Sequence, residues 1–400
     1  MIKKIPITAL RPGMNVVKVA SDQWHHLPYL YSEPGIIESE QDVARLLELG
    51  YQEAFVDTGD QEGMSEETPL ARVVAERKHD RERPERVPFR EAISSAMVTY
   101  EDAMTHAMQI VQDAKLGRKM DYGASLETAS AIVESAVSNP DTLVCLAKLS
   151  EFDNYTYTHC INVAAISVVF GEYIGMPREE LVLLGVAGMM HDLGKTTVPA
   201  RIINKPGPLT PIEREEIRRH PEYGCRILQR NSEIPAKVMR GVMHHHERHN
   251  GSGYPVGLAR KDIPAFARIL CLADVYDALT SDRCYKNAIL PNKALGIMYG
   301  MRDQDFDPTE VQLFIKCLGI FPAGSFVRLN TGEYALVFEA NSREPLHPKI
   351  RIIMDAEMKP IRTRDVDLTT QPGDGGAIEI LECADPSSYR KDLINYLTAR

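Results

Sequence analysis

The pattern of apolar and polar residues changes twice along the chain. At the start, short alternating segments, KIPI at 4–7 and MNVVKV at 14–19, come before an amphipathic stretch from Ser39 to Leu49 and AFVD at 54–57. Alternation predicts strands and the amphipathic stretch predicts a helix. Residues 1–58 are therefore predicted to form a small α/β domain.

Apolar residues recur with the helical period from residue 88 to residue 319, which predicts an all-helical domain. One helix start is clear, because Thr210 and Glu213 form a capping box with Pro211 at the first helical position. The preceding residues 59–87 are rich in Glu, Arg and Lys and poor in apolar residues. They are predicted to be a charged linker, either partly helical or disordered.

Residues 320–400 differ again. Three short runs, FVRL at 326–329, YALVF at 334–338 and KIRII at 349–353, are separated by turn residues and predict a small sheet. A helix from Ser387 to Leu397 is predicted to close the chain. The fold class is therefore mainly α: a helical domain with a small α/β N-terminal domain and a short β-rich C-terminal extension that ends in a helix.

Composition limits the classes of function. The net charge of −10 over 400 residues leaves no basic stripe for a nucleic-acid backbone. The seven cysteines form no CxxC pair and are typical of reduced core thiols in a cytosolic protein. The longest apolar runs, near 161–170 and 181–190, are about half of what a membrane-spanning helix requires, and no signal peptide is evident. We expect a cytoplasmic protein with no membrane span and no nucleic-acid partner.

The most informative chemistry is the sequence His191-Asp192-Leu-Gly-Lys195, which ends the apolar run at 180–190. Charged groups at the end of a buried helix cost several kcal/mol unless they are paired or bind a metal. The dipeptide alone is common, and a helix end meeting a loop would explain it. The other residues of this type along the chain change that interpretation.

Further imidazoles and carboxylates lie in helical or helix-end contexts. His220 precedes Pro221, which disfavours helical geometry at His220 and suggests that a helix ends there. Each residue alone is explained by a hydrogen-bonded core histidine or a helix-end carboxylate, but their joint order favours a metal centre. With no cysteine, the set suits Mn, Fe, Co, Ni or Zn rather than a structural zinc site. The set comprises His159, His191, Asp192, His220, one of the histidines 244–246, and Asp274.

These residues resemble those of known enzymes. The order His159, His191-Asp192, Asp274 is similar to that of the HD superfamily of metal-dependent phosphohydrolases. Three longer segments closely resemble the HD-GYP family of cyclic di-GMP phosphodiesterases, which is named after Gly253-Tyr254-Pro255. They are HDLGKTTVPARIINKPGPLTPIEREEIRRHPEYG from residue 191, HHERHNGSGYPVGL from residue 245 and IPAFARILCLADVYDALTSDRCYK from residue 263.

The resemblance covers roughly residues 140–320 and implies a role for each matching position. Asp192 would bridge two ions, Lys195 would hold a phosphate oxygen, and Arg283 and Lys286 would grip the substrate. The GYP residues 253–255 would contact the substrate too, with the Tyr254 ring either meeting a guanine base or merely packing the loop. The implied metal ligands are His159, His191, Asp192, His220, His245, His246 and Asp274.

The chain departs from the family pattern at three positions. Some members hold a third metal through a Glu one helical turn before the first ligand histidine, where this chain has Tyr155. We therefore expect two divalent transition-metal ions, Fe or Mn, with Ni, Co and Zn as further candidates, and no organic cofactor. Asn250 stands where the family usually has Asp. His244 is an extra histidine, interpreted as a partly exposed polar residue.

The predicted function is hydrolysis of cyclic di-GMP to linear pGpG, with further hydrolysis to GMP left open. Two adjacent ions lower the pKa of water, and they clamp both the attacking hydroxide and the developing oxyanion of an in-line displacement. Lys195 adds positive charge where the transition state gains negative charge. Two alternatives stay open: a catalytically weak cyclic di-GMP receptor that signals through partners, and an HD hydrolase of another nucleotide.

The N-terminal unit resembles a domain of unknown function often found ahead of HD-GYP domains. It contains no ligand cluster, so it is interpreted either as a regulatory contact, which a protein partner could share, or as a packing module. A homodimer is predicted because the helix near 88–115 has an apolar face, formed by Ala92, Ala96, Tyr100 and Met104.

Overall fold

The computed structural model describes residues 2–20, 35–37, 39–48, 53–57, 86–150, 155–282, 288–341, 344–370, 377–386 and 390–398. The predicted linker at 59–87 falls almost entirely outside these ranges, as do Arg283 and Lys286. The fold class is confirmed: the structure is mainly helical, with small sheets near the two ends of the chain. The domain boundaries given above stay a prediction.

The N-terminal residues form a four-stranded antiparallel sheet. Its strands lie in the order Ile2–Pro6, Glu53–Asp57, Asn15–Ala20 and Gly35–Ile36. Ile7, Leu10 and Ala54 are fully buried in this unit. The helix begins one residue after Ser39. The elements are β1 (Ile2–Pro6), β2 (Asn15–Ala20), β3 (Gly35–Ile36), α1 (Glu40–Glu48) and β4 (Glu53–Asp57).

The second unit begins with a series of helices, several of which start at or just after a proline, where the missing N–H costs nothing. The capping box is confirmed, since Glu213 N donates to Thr210 Oγ1 at 3.3 Å and Thr210 N donates to Glu213 Oε2 at 2.8 Å. The helices are α2 (Phe89–Lys115), α3 (Tyr122–Ser138), α4 (Pro140–Leu149), α5 (Tyr155–Tyr173), α6 (Arg178–Met190), α7 (Ala200–Ile203), α8 (Pro211–Arg218), α9 (His220–Leu228), α10 (Ala236–His244), α11 (Ala265–Thr280), α12 (Pro291–Gly300) and α13 (Pro308–Leu318), with a 3₁₀ turn at Leu193–Thr197.

Helix α5 lies at the centre and packs against α2, α3, α4, α6 and α11. Residues 159–171 of this helix are all buried, so the helix has no solvent face over this stretch. A Cβ atom at Gly188 would lie 2.6 Å from the Cα atom of Ala164, so only glycine permits this approach of α6 to α5. The close contact brings the end of α6, with His191, beside His159 on α5, with ring centroids 5.1 Å apart.

The structure corrects two interpretations of the sequence. The apolar face of α2 does not provide a free dimer surface, because Ala92, Ala96, Tyr100 and Met104 are all at most 4% exposed within the chain. The helix predicted to end at His220 ends at Arg218, and His220 begins the next helix. Pro221 suits that position, because the first turn of a helix does not need its N–H.

The C-terminal strands form an antiparallel sheet in the order Pro360–Asp367, Lys349–Met354, Tyr334–Glu339, Phe326–Leu329 and Ile380–Cys383. The three predicted strands are confirmed. Arg351 is buried between this sheet and the last helix, where it bonds Asp365 at 2.6 Å and the carbonyl of Tyr396 at 2.6 Å. The elements are β5 (Phe326–Leu329), β6 (Tyr334–Glu339), β7 (Lys349–Met354), β8 (Pro360–Asp367), β9 (Ile380–Cys383) and α14 (Arg390–Thr398).

Two further expectations concern cysteines and membranes. All six cysteines within the described ranges are free thiols, and four of them are buried. Cys284 lies outside those ranges. Among the described helices, none is both long and apolar enough to cross a bilayer.

Candidate metal centre

The predicted ligands come from five helices and meet at one buried point. His159 is in the second turn of α5, His191 and Asp192 follow the last residue of α6, and Asp274 lies in the middle of α11. His220 begins α9, and His245 and His246 follow the last residue of α10. All seven residues are brought together by the fold. Six of them are at most 9% exposed, and the side chain of His246 is 15% exposed.

Asp192 lies at the centre of the cluster, and its two oxygens face different histidines. Oδ1 is 3.2 Å from Nε2 of His220 and 4.0 Å from Nε2 of His245. Oδ2 is 3.5 Å from Nε2 of both His159 and His191. One carboxylate thus belongs to two groups of side chains that could each hold an ion: His159, His191 and Asp192 in one, and Asp192, His220, His245 and His246 in the other.

Asp274 closes the cluster on the side of α11. Its Oδ1 lies 3.2 Å from Nε2 of His159, and its Oδ2 lies 3.7 Å from Nδ1 of His246. It therefore contacts one histidine of each group. This position agrees with the ligand role that the family resemblance implies.

Backbone carbonyls orient three of the histidines. In each, Nδ1 lies 2.7 Å from the carbonyl oxygen three residues earlier. A carbonyl can only accept, so Nδ1 carries the proton and the lone pair of Nε2 points into the cluster. Such a partner on the outer nitrogen is characteristic of histidines that bind metals. The three pairs are His191 with Gly188, His220 with Ile217, and His245 with Val242.

The cluster fits a divalent cation. Nε2 of His191 and Oδ1 of Asp192 are buried without a hydrogen-bond donor, and Nε2 of His220 faces Nε2 of His245 at 3.2 Å. Inward-pointing lone pairs are unfavourable in a buried site unless they share a cation. The donors are imidazole and carboxylate without thiolate, which suits Mn, Fe, Co, Ni or Zn.

The pKa shifts of the candidate ligands also favour metal binding. Burial lowers the pKa of His191. The pKa values of His245 and His246 lie well below the usual range, because burial and the neighbouring histidines both lower them. Burial alone would raise the pKa of Asp192, but Lys195 and the surrounding histidines outweigh it and hold that pKa well below its usual range. His191, His245 and His246 are therefore held neutral beside an ionised Asp192, which is the protonation state that metal ligation requires.

His159 has a carboxylate partner that the sequence analysis did not identify. Its Nδ1 lies 2.6 Å from Oδ2 of Asp277, which is 2% exposed. Burial disfavours the charged imidazole, but Asp274 and Asp277 outweigh this effect and raise the pKa of His159 to about 9. The available signal was the spacing of Asp274 and Asp277, which puts two carboxylates on one face of a helix.

Glu247 holds the GYP loop, which comprises residues 250–258. It is a second residue whose role the sequence analysis did not identify. The Glu247 side chain is fully buried and accepts hydrogen bonds from the backbone N–H groups of Val256, Gly257 and Leu258 at 2.9–3.2 Å. A Cβ atom at Gly253 would lie 2.4 Å from the backbone nitrogen of Arg248, so this glycine is required for close approach. The Glu-anchored loop therefore packs directly against the chain that carries the paired histidines.

Asn250 stabilises the turn at the start of this loop. Its Oδ1 accepts a hydrogen bond from Ser252 N at 2.9 Å, which a carboxylate oxygen could also do. Gly251 follows at φ +82°, a conformation that favours glycine. The departure from the family's Asp therefore leaves the turn intact.

The Tyr254 ring packs against the cluster. It stacks on the ring of His246 with centroids 4.7 Å apart, and the guanidinium of Arg218 lies 4.6 Å from its centroid. Of the two interpretations given above, this favours a ring that packs the loop against a candidate ligand. Substrate contact by Gly253, Tyr254 and Pro255 stays a prediction.

Lys195 and His244 occupy different surroundings. Nζ of Lys195 donates to Oδ2 of Asp192 at 2.5 Å, and the side chain is 32% exposed at the edge of the cluster. His244 belongs to neither group of candidate ligands. Its Nδ1 instead lies 3.5 Å from Oε1 of Glu247.

Comparison with known proteins identifies the family. Residues 132–309 match the HD domain. A cyclic di-GMP phosphodiesterase of Pseudomonas aeruginosa is 34% identical over 371 residues, which cover 92% of this chain and 89% of the relative. This chain belongs to the HD-GYP family. It is therefore an HD-domain phosphodiesterase.

Other matches cover parts of the chain. A cyclic di-GMP phosphodiesterase response regulator of Xanthomonas campestris is 36% identical over 44% of this chain and 47% of the relative. A 3'3'-cGAMP-specific phosphodiesterase of Vibrio cholerae is 30% identical over 49% of this chain and 38% of the relative. Residues 2–124 match a domain of unknown function, and residues 326–373 match a KOW domain associated with the HD domain.

Proposed function

We propose that this HD-GYP phosphodiesterase hydrolyses cyclic di-GMP to linear pGpG at the cluster around Asp192, using two divalent transition-metal ions. The observation that carries the proposal is the position of Asp192, whose two oxygens face separate sets of inward-pointing histidines. The substrate follows from the relative that matches nearly the whole chain and is a cyclic di-GMP phosphodiesterase.

Each ion would have its own ligands and share Asp192. One set would comprise His159, His191 and Asp274, and the other would comprise His220, His245 and His246. Bound ions at such a site supply charge neutralisation for the phosphodiester and lower the pKa of water. Fe and Mn are the first candidates, and Ni, Co and Zn also suit these imidazole and carboxylate ligands.

The chain's own groups orient the reaction. Burial lowers the pKa of Lys195, but the nearby Asp192 and Asp274 outweigh burial and raise it, so the ammonium stays charged at neutral pH. Its position beside Asp192 lets it hold a non-bridging phosphate oxygen and stabilise the charge that develops there. Arg283 and Lys286 are proposed to bind the rest of the substrate.

The GYP loop supports this arrangement from the side. Glu247 holds the loop backbone, and Tyr254 packs on His246, so the loop restricts the position of a candidate ligand. Gly253 and Pro255 are the other loop residues proposed to face the substrate.

A second substrate has support from one comparison. The Vibrio cholerae relative is specific for 3'3'-cGAMP, which differs from cyclic di-GMP in one base. That relative covers only half of this chain, so cyclic di-GMP is the first choice. The two substrates can be distinguished directly by measuring the turnover of each.

The test is to incubate purified protein with Mn²⁺ or, anaerobically, with Fe²⁺ and either cyclic dinucleotide, and to resolve the products by chromatography. We expect linear pGpG from cyclic di-GMP with the wild type and none with Asp192→Ala. Faster turnover of 3'3'-cGAMP would reassign the substrate. Tight binding of cyclic di-GMP without product, whichever metal is supplied, would contradict the enzyme assignment and favour a receptor.

A further inference from the structure

The side chains behind Asp277 form a buried chain of hydrogen bonds that starts at His159. Oδ2 of Asp277 accepts from Nδ1 of His159 at 2.6 Å. Oδ1 of Asp277 accepts from Nδ2 of Asn162 at 2.7 Å and from Oγ of Ser281 at 3.0 Å. Both carboxylate oxygens are therefore engaged, and the plane of the carboxylate is held from two sides.

The orientation of the Asn162 amide is determined by its neighbours. Its Nδ2 donates to Asp277 and also to the carbonyl oxygen of Ala147 at 3.1 Å. The carbonyl and the carboxylate both accept, so a flipped amide would place its oxygen against two acceptors. The Oδ1 atom is left to accept, and the hydroxyl of Tyr100 donates to it.

Tyr100 is suited to act as a permanent donor. Its side chain is 2% exposed, and Asn162 is 1% exposed, so water does not compete for these bonds. Burial and the charge of Asp277 raise the pKa of the Tyr100 hydroxyl, which keeps the proton on the oxygen at neutral pH. The chain of bonds joins α2, α4, α5 and α11 at one point.

We infer that Asn162 and Tyr100 are positioning residues for the metal centre. They hold Asp277 in the orientation that keeps the proton on Nδ1 of His159 and directs Nε2 toward Asp192 and Asp274. Partners on the outer side of a ligand histidine fix its tautomer and its ring orientation. Here Asn162 and Tyr100 act on Asp277, the partner of His159. The inference rests on the proposed function only in requiring that His159 binds metal.

The alternative is that Asn162 and Tyr100 serve stability alone. Tyr100→Phe removes one hydroxyl and keeps the ring, so it is the mildest probe of the two interpretations. Asn162→Leu removes both the donor and the acceptor at similar volume. Tyr276→Phe is the matched control, because Tyr276 is also buried but packs against Phe314.

The experiment measures the dissociation constant of Mn²⁺ from the full chain by calorimetric titration without substrate, beside the melting temperature. Loss of an outer-layer partner typically weakens metal binding about 10- to 100-fold, so we expect about tenfold for Asn162→Leu and about threefold for Tyr100→Phe. Tyr276→Phe should bind Mn²⁺ like the wild type, even if it melts at a lower temperature.

A second readout separates positioning from general damage. Turnover lost through weak metal binding should return when excess Mn²⁺ is added, whereas turnover lost through misfolding should not. Unchanged metal affinity in folded Tyr100→Phe would overturn the inference, and this variant decides alone if Asn162→Leu does not fold. A wild type that binds Mn²⁺ but cleaves neither cyclic dinucleotide would overturn the proposed function and leave this inference standing.

Discussion

The backbone N–H of Gly257 donates to both carboxylate oxygens of Glu247, at 3.2 and 3.0 Å. Val256 and Leu258 each donate to one of the same oxygens. Three consecutive N–H groups of the GYP loop thus surround one buried carboxylate, which comes directly after His246 in the chain. Glu247 therefore couples the loop to the candidate ligands, in addition to the stacking of Tyr254 on His246.

Glu247→Gln tests this coupling. The glutamine amide would point an N–H₂ group at backbone donors, so we expect a loss of about 1.5–3 kcal/mol in the free energy of unfolding and faster proteolysis of the loop. Turnover should fall as well, because His246 loses its support. Glu215→Gln, at an exposed site on α8, is the control. Wild-type stability in Glu247→Gln would contradict the anchoring role.

Lys195→Ala should separate phosphate contact from metal binding. The ammonium bonds one oxygen of Asp192 and is not itself a ligand, so metal content should stay near that of the wild type. Turnover should fall about 100-fold, as is typical when one donor to a developing negative charge is removed. Metal analysis and steady-state kinetics on the same preparation provide the measurement. Loss of metal along with activity would show that Lys195 maintains the ligand geometry instead.

His244→Ala and His245→Ala form a matched pair of adjacent residues. His245 faces Asp192 and His220, whereas His244 faces Glu247. We expect the His245 variant to lose metal and activity and the His244 variant to keep both, with at most a small loss of stability. An inactive, metal-free His244 variant would shift the assignment of the paired histidines by one position.

Asp141 predicts a pH dependence of stability away from the metal centre. It is 9% exposed on α4, and its Oδ1 accepts from Ala340 N at 3.2 Å, just after β6. Burial raises its pKa from 3.8 to about 7, although the hydrogen bond from Ala340 opposes this shift. The folded chain therefore favours the protonated carboxyl. Its stabilising contribution is complete below pH 3.8 and is lost as the pH rises through 7.

Asp141→Asn removes this titration while it keeps an acceptor for Ala340. The free energy of unfolding of the variant should rise relative to the wild type between pH 4 and pH 7, by roughly 2–4 kcal/mol. Chemical denaturation of both proteins across this range provides the measurement. Parallel pH profiles for the two proteins would show that Asp141 is ionised in the folded state.

The sequence predicts the local features of this fold well. Helix period, the capping box at Thr210 and the three C-terminal strands are visible because each depends on residues close in the chain. The candidate ligands are visible for a different reason. Imidazoles and carboxylates stand out in apolar helices, and their spacing matches long motifs of a known family.

Residues that support the ligands are harder to predict. Asp277 contacts His159 across 118 positions, and the sequence does not show which partners the side chain of Asn162 has. Burial of the apolar face of α2 was also ambiguous, because periodicity shows that a face is covered and not whether the same chain covers it. The polar character of Glu247 gave no sign that three backbone N–H groups surround it.

Metal content per chain tests most directly whether the residues around Asp192 form a binuclear centre. The measurement is elemental analysis of anaerobically prepared wild type and Asp192→Ala, each assayed for turnover of cyclic di-GMP in the same sample. We expect two ions per chain in the wild type, and in the variant a joint loss of metal and turnover, because the shared ligand is gone. A wild-type value near three would contradict the two-metal expectation based on Tyr155. Full metal content in Asp192→Ala would contradict the bridging role on which the proposed function depends.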